Sequence, residues 1–241
     1  ENGNKILKQY FWEVFSYLDP EECFGRTGGD NFVGLVKDKN CSELLEKLQC
    51  VTLLFEGNEY KIPARIGVYD ISETDTINEA IEYASIANNI LKQTRSGDLL
   101  FFTMEMQQKM MEEREVLSKF HKAMEQEEFV VYYQPKVNIN ENRLSGAEAL
   151  VRWQGSDGLI PPGKFIPVLE KENEIGELDL YVLRRVCKDI REWLERGMEP
   201  VRVSVNLSKS QLGNLKLASA ILAIIDEYEI DHKYIELELT E

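Results

Sequence analysis

The sequence predicts an α/β protein in two parts, and three observations carry that reading. From Phe129 onward, apolar strands and amphipathic helices alternate, the rhythm of a βα barrel whose first strand is antiparallel. Before residue 105, paired apolar runs around Gly-containing turns mix with helices, the pattern of an α+β region. Between the two lies a polar, Met-rich helical stretch, 105–127, without strand signals.

The elements follow in order. Ile6, Leu7, Tyr10, Phe11, Val14, Phe15 and Leu18 recur at helical spacing, so residues 4–18 are expected to form an amphipathic helix. A chain that opens inside a helix is expected to begin within a domain. "CFGRTGGDNFVGLV" sets two glycines between short apolar runs, with Gly28, Gly29 and Asp30 in a hairpin turn, because glycine admits positive φ. Residues 42–49 read as helix. "VTLLFEGNEYKIPARIGVYDI" gives two strands about Glu56-Gly57-Asn58, with Pro63 marking an edge or bulge. Residues 76–93 form a further helix, "TRSGD" breaks the pattern, and "LLFF" is a short strand. The Met and Phe stripe of 105–127 reads as packing rather than a cofactor box. "FVVYYQPKV" and "RLSGAEALVRW" flank "NINEN" as a hairpin. Helices near 164–173, 176–196 and 214–229 then alternate with strands 201–206 and 234–239.

Composition bounds the function. The 241 residues are 43% hydrophobic and 29% charged, enough for one or two domains with a core. No apolar run approaches the ~20 residues of a membrane span, and no signal peptide is visible. The net charge of −15 argues against a nucleic-acid polymer or an anionic membrane as partner, since both need cationic patches. It leaves room for a small phosphorylated ligand carried on divalent cations. Cys23, Cys41, Cys50 and Cys187 lack metal-ligand spacing and read as free thiols of a reducing cytosol.

Three strands share one parity. Glu148, Leu150 and Arg152 alternate with Ala147, Ala149, Val151 and Trp153. Arg202, Ser204 and Asn206 alternate with Val201, Val203 and Val205. Glu236, Glu238 and Thr240 alternate with Ile235, Leu237 and Leu239. A parallel strand covered on both faces is nearly all apolar, so the polar faces are expected to point into a barrel lumen or mouth, where buried carboxylates need a charge partner. Asn206 and Glu238 fall near the C-terminal ends of their strands, where barrel enzymes place chemistry. Two carboxylates and an amide oxygen are hard ligands that suit Mg²⁺ or Mn²⁺. The residues alone leave a second reading open, in which Glu148 and Arg152 are a satisfied ion pair.

The strings "YYQP", "GAEALVRW", "GLIPPGKFIPVLE", "VSVNLS" and "IELELTE" together resemble the EAL domain family of cyclic di-GMP phosphodiesterases, from about Phe129 to the C-terminus. "RTGGDNF" resembles the signature of a GGDEF domain, the diguanylate cyclase module. The resemblance implies the C-terminal part of an α+β GGDEF domain over 1–104 and a connecting helix over 105–128. Over 129–241 it implies the first half of an EAL-type, TIM-like βα barrel, with truncation at both ends. It implies metal ligation by Glu148, Asn206 and Glu238, with Glu148 central to catalysis and Glu241 in support. It implies substrate contacts from Gln134, Leu150 and Arg152, with Arg152 on a phosphate oxygen. Mg²⁺ or Mn²⁺ would activate water to open cyclic di-GMP to pGpG.

Departures from the two families shape the remaining expectations. In Gly28-Gly29-Asp30-Asn31, Asn31 replaces the family's Glu, so the upstream region is expected to make no cyclic di-GMP, while GTP binding there stays open. Asp19-Pro20-Glu21-Glu22 lacks the family's inhibitory pattern, so no product-inhibition site is expected. The family's later Asp, Lys and Glu residues lie beyond Glu241, so this chain alone is expected to be inactive and its parent active. The resemblance further implies a cytoplasmic protein and a homodimer through the EAL part. A catalytically silent cyclic di-GMP receptor and an interaction scaffold are the alternatives.

Overall fold

A computed structural model of the chain describes residues 2–94, 97–156 and 158–239. The chain divides into two compact units, residues 1–110 and 111–241.

In the first unit, α1 (Asn2–Phe15) is followed by β1 (Cys23–Gly28), β2 (Asn31–Leu35), α2 (Asp38–Leu48), β3 (Cys50–Phe55), β4 (Asn58–Pro63), β5 (Ile66–Val68), α3 (Ile77–Thr94) and β6 (Leu99–Phe101). The β1–β2 and β3–β4 pairs are antiparallel hairpins. Gly29, at φ +55°, turns the first; Glu56 and Gly57, at +51° and +81°, turn the second. Their apolar faces meet α1: Tyr10 and Val14 bury against Val51 and Leu53, and the rings of Phe24 and Phe32 stack at 5.3 Å. β5 was not expected, and it pairs in parallel with β6. The two are joined through α3, whose start is a capping box: Thr76 N donates to Glu79 Oε2 at 2.9 Å, and Glu79 N donates to Thr76 Oγ1 at 3.3 Å. β5 lies hard against α3 because residue 67 is glycine. A Cβ there would stand 2.2 Å from the Ala84 carbonyl oxygen and 2.4 Å from the Asn88 nitrogen.

The next helix, α4 (Met104–Glu125), spans the boundary between the units. The expected packing role of its Met and Phe stripe holds in part. Phe120 and Ala123 are buried in the second unit's core, whereas Met104 and Met111 are exposed.

The second unit continues with β7 (Phe129–Asn138), β8 (Arg143–Gly155), β9 (Gly158–Ile160), α5 (Pro162–Lys171), α6 (Ile175–Glu195), β10 (Arg202–Leu207), α7 (Leu217–Glu227) and β11 (Ile235–Leu239). The sheet order is β11-β10-β8-β7, with β9 folded back onto β8. β7 and β8 run antiparallel; β8, β10 and β11 run parallel. One face of the sheet carries the core, in which Ala149, Val203 and Val205 pack under Leu183, Val186 and Ile190 of α6. The rings of Phe129, Trp153 and Phe165 close its end. The helix expected over 214–229 is shorter. Ser208 caps a 3₁₀ turn over Lys209–Gly213, and α7 begins only at Leu217, past Gly213 and Asn214. β9 escaped the sequence because three residues carry no periodicity; it forms where Gly158, at φ +121°, lets the chain return to Trp153.

Gly67→Ala is expected to destabilise the first unit by roughly 1–3 kcal/mol or more, since backbone atoms of α3 occupy the space its methyl needs. Gly25→Ala, with nothing within 4 Å of the added methyl, is the control. Urea unfolding compares them; equal midpoints would overturn the account of β5.

Candidate active site

Strand register brings the polar residues to one face. Glu148 stands opposite Ser204 across β8–β10, Asn206 opposite Glu238 across β10–β11, and Gln134 opposite Glu148 across β7–β8. Alternation then puts Lys136, Glu148, Ser204, Asn206, Glu236 and Glu238 on the side away from the core.

Hydrogen bonds tie this face together. Asn206 Nδ2 donates to Glu148 Oε1 at 3.0 Å. Lys136 Nζ donates to Glu238 Oε1 at 2.5 Å and to Ser204 Oγ at 2.7 Å, and Ser204 Oγ donates to Glu236 Oε2 at 3.1 Å. Gly146 is the partner of Lys136 across β7–β8; a Cβ there would stand 3.1 Å from the Arg202 carbonyl oxygen of β10 and at an ordinary 3.8 Å from the lysine stem. The hydrogen bond from Lys136 lowers the pKa of Glu238, and the same bond raises that of Lys136 against the opposing effect of burial. Lys136 is the partner that the acidic face requires, and β7 is where the sequence reading missed it. It shares the parity of Gln134 in "YYQPKV".

Arg152 does not pair with Glu148. Its guanidinium lies over the Tyr132 ring at 5.9 Å, and Nη1 donates to the Val151 carbonyl at 2.8 Å. Among the described residues no carboxylate lies within ion-pair distance of it. Arg152, Leu150 and Asn206 line one cleft of about 150 Å³ at the C-terminal ends of β8 and β10, bounded by α5 and α6. Gln134 sits on the exposed edge strand. Thr240 and Glu241 lie outside the described residues. The residues Gly28, Gly29, Asp30 and Asn31 belong to the first unit, in the β1–β2 turn. There the Asn31 side chain donates to the Gly28 carbonyl at 3.3 Å and accepts from Lys92 Nζ at 2.7 Å.

The cleft also exposes a residue the sequence reading passed over. Asp179 of α6 is 8% exposed, and its Oδ2 accepts the Ser208 N–H at 2.8 Å. Burial pushes its pKa from an ordinary 3.8 up to about 6; the Ser208 bond opposes this and nearby Glu170 of α5 adds to it. No polar periodicity flags a lone Asp in an apolar helical stripe. Elsewhere, His121, Glu174 and Glu177 bring three ligand-type atoms within 4.8 Å of one another, in a largely exposed group where His121 Nδ1 stands 3.7 Å from Glu177 Oε2.

The donor set on the strands fits a hard divalent cation: turning the Asn206 amide by 180° sets its oxygen beside Glu148, with Glu238 one strand away.

Residues 117–241 match the family described as the EAL domain. The chain belongs to this family. EAL domains are metal-dependent. The chain is 29% identical over 252 residues to the cyclic di-GMP phosphodiesterase PdeR of Escherichia coli, covering 99% of this chain and 37% of the relative. It is 28% identical over 248 residues to the bifunctional diguanylate cyclase/cyclic di-GMP phosphodiesterase MucR of Pseudomonas aeruginosa, covering 99% and 36%. The chain therefore spans little more than a third of these relatives. Among solved structures, the EAL enzyme Bd1971 in its cAMP and cyclic-di-GMP bound form superposes with a TM-score of 0.50 at 20% identity, over 69% of this chain and 44% of that one. At that identity the likeness extends to the mixed α/β EAL fold. No helix among the described residues is long and apolar enough to cross a membrane.

The raised pKa of Asp179 gives a signed pH dependence. The folded protein takes up a proton below about 6 that the unfolded chain binds only near 3.8, so this group's contribution to stability rises as pH falls through that window. Relative to Asp179→Asn, the unaltered protein is expected to gain up to ~3 kcal/mol between pH 7 and pH 4. Urea unfolding of both proteins across the range measures the difference; parallel pH profiles would contradict the assignment.

Proposed function

We propose that the full-length protein hydrolyses cyclic di-GMP to the linear dinucleotide pGpG in a divalent-metal-dependent reaction. The observation that carries this is the separation of Glu148 from Arg152. Glu148 joins Asn206 on the acidic face, and Arg152 is left with a ring and a carbonyl oxygen, its remaining N–H groups available to an anion. Membership of the EAL family and the activities named for the E. coli and P. aeruginosa relatives support the same reading.

In this reading Glu148, Asn206 and Glu238 hold the cation, Mg²⁺ or Mn²⁺. The cation, when bound, neutralises phosphate charge and lowers the pKa of water. Arg152 binds a non-bridging phosphate oxygen and fixes the phosphodiester over the strand ends. Leu150 supplies an apolar contact beside it, and Gln134 lies across β7–β8 from Glu148, on the substrate side. Residues 129–241 act as the opening half of an EAL barrel, with β7 as its antiparallel first strand.

Residues 1–104 are the C-terminal part of a GGDEF-type domain that makes no cyclic di-GMP and acts as regulator. The supporting feature is Asn31, whose neutral amide already pairs with Lys92 at the position where a carboxylate would help hold a metal.

Nucleotide chromatography tests both parts on the full-length protein. With Mg²⁺ or Mn²⁺ it is expected to convert cyclic di-GMP to pGpG, and Glu148→Gln to lose roughly 10²-fold or more of that rate. Tight binding without turnover would make the protein a receptor instead. Incubated with GTP and Mg²⁺, the protein is expected to yield no cyclic di-GMP. Product formation there would refute the silent GGDEF assignment.

A further inference from the structure

We infer that the first turns of α6 form a clamp that sets the position of Asn206, with Asp179 and the Gly176–Gln211 contact as its two points of grip. The inference rests on reading Asn206 as a metal ligand.

The first grip is the hydrogen bond from Ser208 N–H to Asp179 Oδ2 at 2.8 Å. A carboxylate 8% exposed ordinarily needs a cation. Among the described residues none lies within ion-pair distance of this one, so its charge is directed at a backbone amide two residues beyond Asn206. Such a bond holds the peptide in one orientation, because a buried charged acceptor is costly to leave unpaired.

The second grip is steric. Gln211 is buried, and its side chain fills the place a Cβ on residue 176 would occupy: Nε2 would stand 2.1 Å away and Cδ 2.8 Å. Glycine at 176, in the first turn of α6, is what admits it. Between the grips, the Ser208 hydroxyl caps the 3₁₀ turn by accepting from Ser210 N at 3.4 Å. On either side of Asn206 in the chain, Val205 is fully buried and Leu207 nearly so. The backbone around Asn206 is thereby fixed from the core and from α6 together, with its side-chain amide bonded to Glu148. Asp179 and Gly176 are positioning residues: neither reaches the acidic face, and each acts through the loop. Groups that orient a ligand from behind in this way are worth roughly 10–100-fold in metal affinity.

Mn²⁺ binding to the full-length protein, followed by the loss of the free-ion paramagnetic resonance signal, tests this without any turnover. Asn206→Ala sets the scale for a lost ligand. Asp179→Leu and Gln211→Ala are each expected to weaken Mn²⁺ binding at least about 10-fold. Asp179→Asn keeps an oxygen acceptor for Ser208 N–H while removing the charge, and is expected to stay within about threefold, which separates geometry from electrostatic attraction. Should Asp179→Leu fail to fold, Gln211→Ala, which adds no bulk, carries the test. If Asn206→Ala weakens binding while Asp179→Leu and Gln211→Ala bind as the unaltered protein does, the clamp is overturned and the ligand reading stands. If Asn206→Ala also binds normally, the ligand reading falls and the clamp's role falls with it.

Discussion

The polar face of the second unit depends on one ammonium group. Glu148 on β8 and Glu236 and Glu238 on β11 face the same side of one sheet, with β10 between their strands, and like charges gathered on one face repel. Lys136 reaches into this group from β7 and bonds Glu238 and Ser204 together. The strand between the acids helps. On that face β10 offers Ser204 and Asn206, neutral groups that donate to Glu236 and Glu148. The acidic strands β8 and β11 are thus held two strand spacings apart, roughly 10 Å, by a strand that satisfies both. A charged residue at position 204 or 206 would break this order whatever its packing.

The opposite face explains why the arrangement is stiff. Val203, Val205 and Leu207 alternate with Ser204 and Asn206 on the same strand, and all three are buried under α6 and α7. A one-residue slip of β10 would exchange the two sets, driving valines to the acidic face and an amide into the core, so the register is strongly specified. Tyr133 adds a lock on the core face of β7: its hydroxyl donates to Asp189 of α6 at 2.6 Å, and its ring packs on Trp193. Lys136, three residues further along β7, inherits that placement.

Much of this was legible in the sequence, because period-two alternation survives wherever a strand has one buried face. The strands with Glu148, Asn206 and Glu238 were found that way, and the helix at 175–195 followed from its apolar stripe to within one residue. What escaped shares a physical cause. β5 and β9 are three residues long and owe their places to glycines, Gly67 through its close approach to α3 and Gly158 through its positive φ, which periodicity does not record. The helix expected from 214 starts only at Leu217, because Asn214 closes the 3₁₀ turn and its side chain accepts from Lys216 N. Lys136 and Asp179 were missed because each is meaningful only against a partner distant in sequence, Glu238 in one case and Ser208 in the other. Glu22 is a third example. Read as one letter of an absent inhibitory pattern, it is instead a buried carboxylate that accepts from Asp19 N, Lys37 N and the Asn40 side chain, and these bonds outweigh the opposing effect of burial to lower its pKa.

Charge balance links the acidic face to its proposed ligand. Three carboxylates and one ammonium leave a formal −2 on the strands, in a chain whose net charge is −15. A phosphodiester brought to such a surface would be repelled, and Arg152 alone does not reverse the sign. One divalent cation held, as proposed, by Glu148, Asn206 and Glu238 would cancel the deficit, and the Arg152 guanidinium would then make the mouth of the cleft positive. Lys136 cannot take the cation's place, because its bond to Glu238 holds it on the face and away from the cleft that Arg152 lines. On the proposed reading, the same acidity that argues against a nucleic-acid polymer would make recognition of a small phosphodiester conditional on the metal, which is the dependence a metal-assisted hydrolase requires.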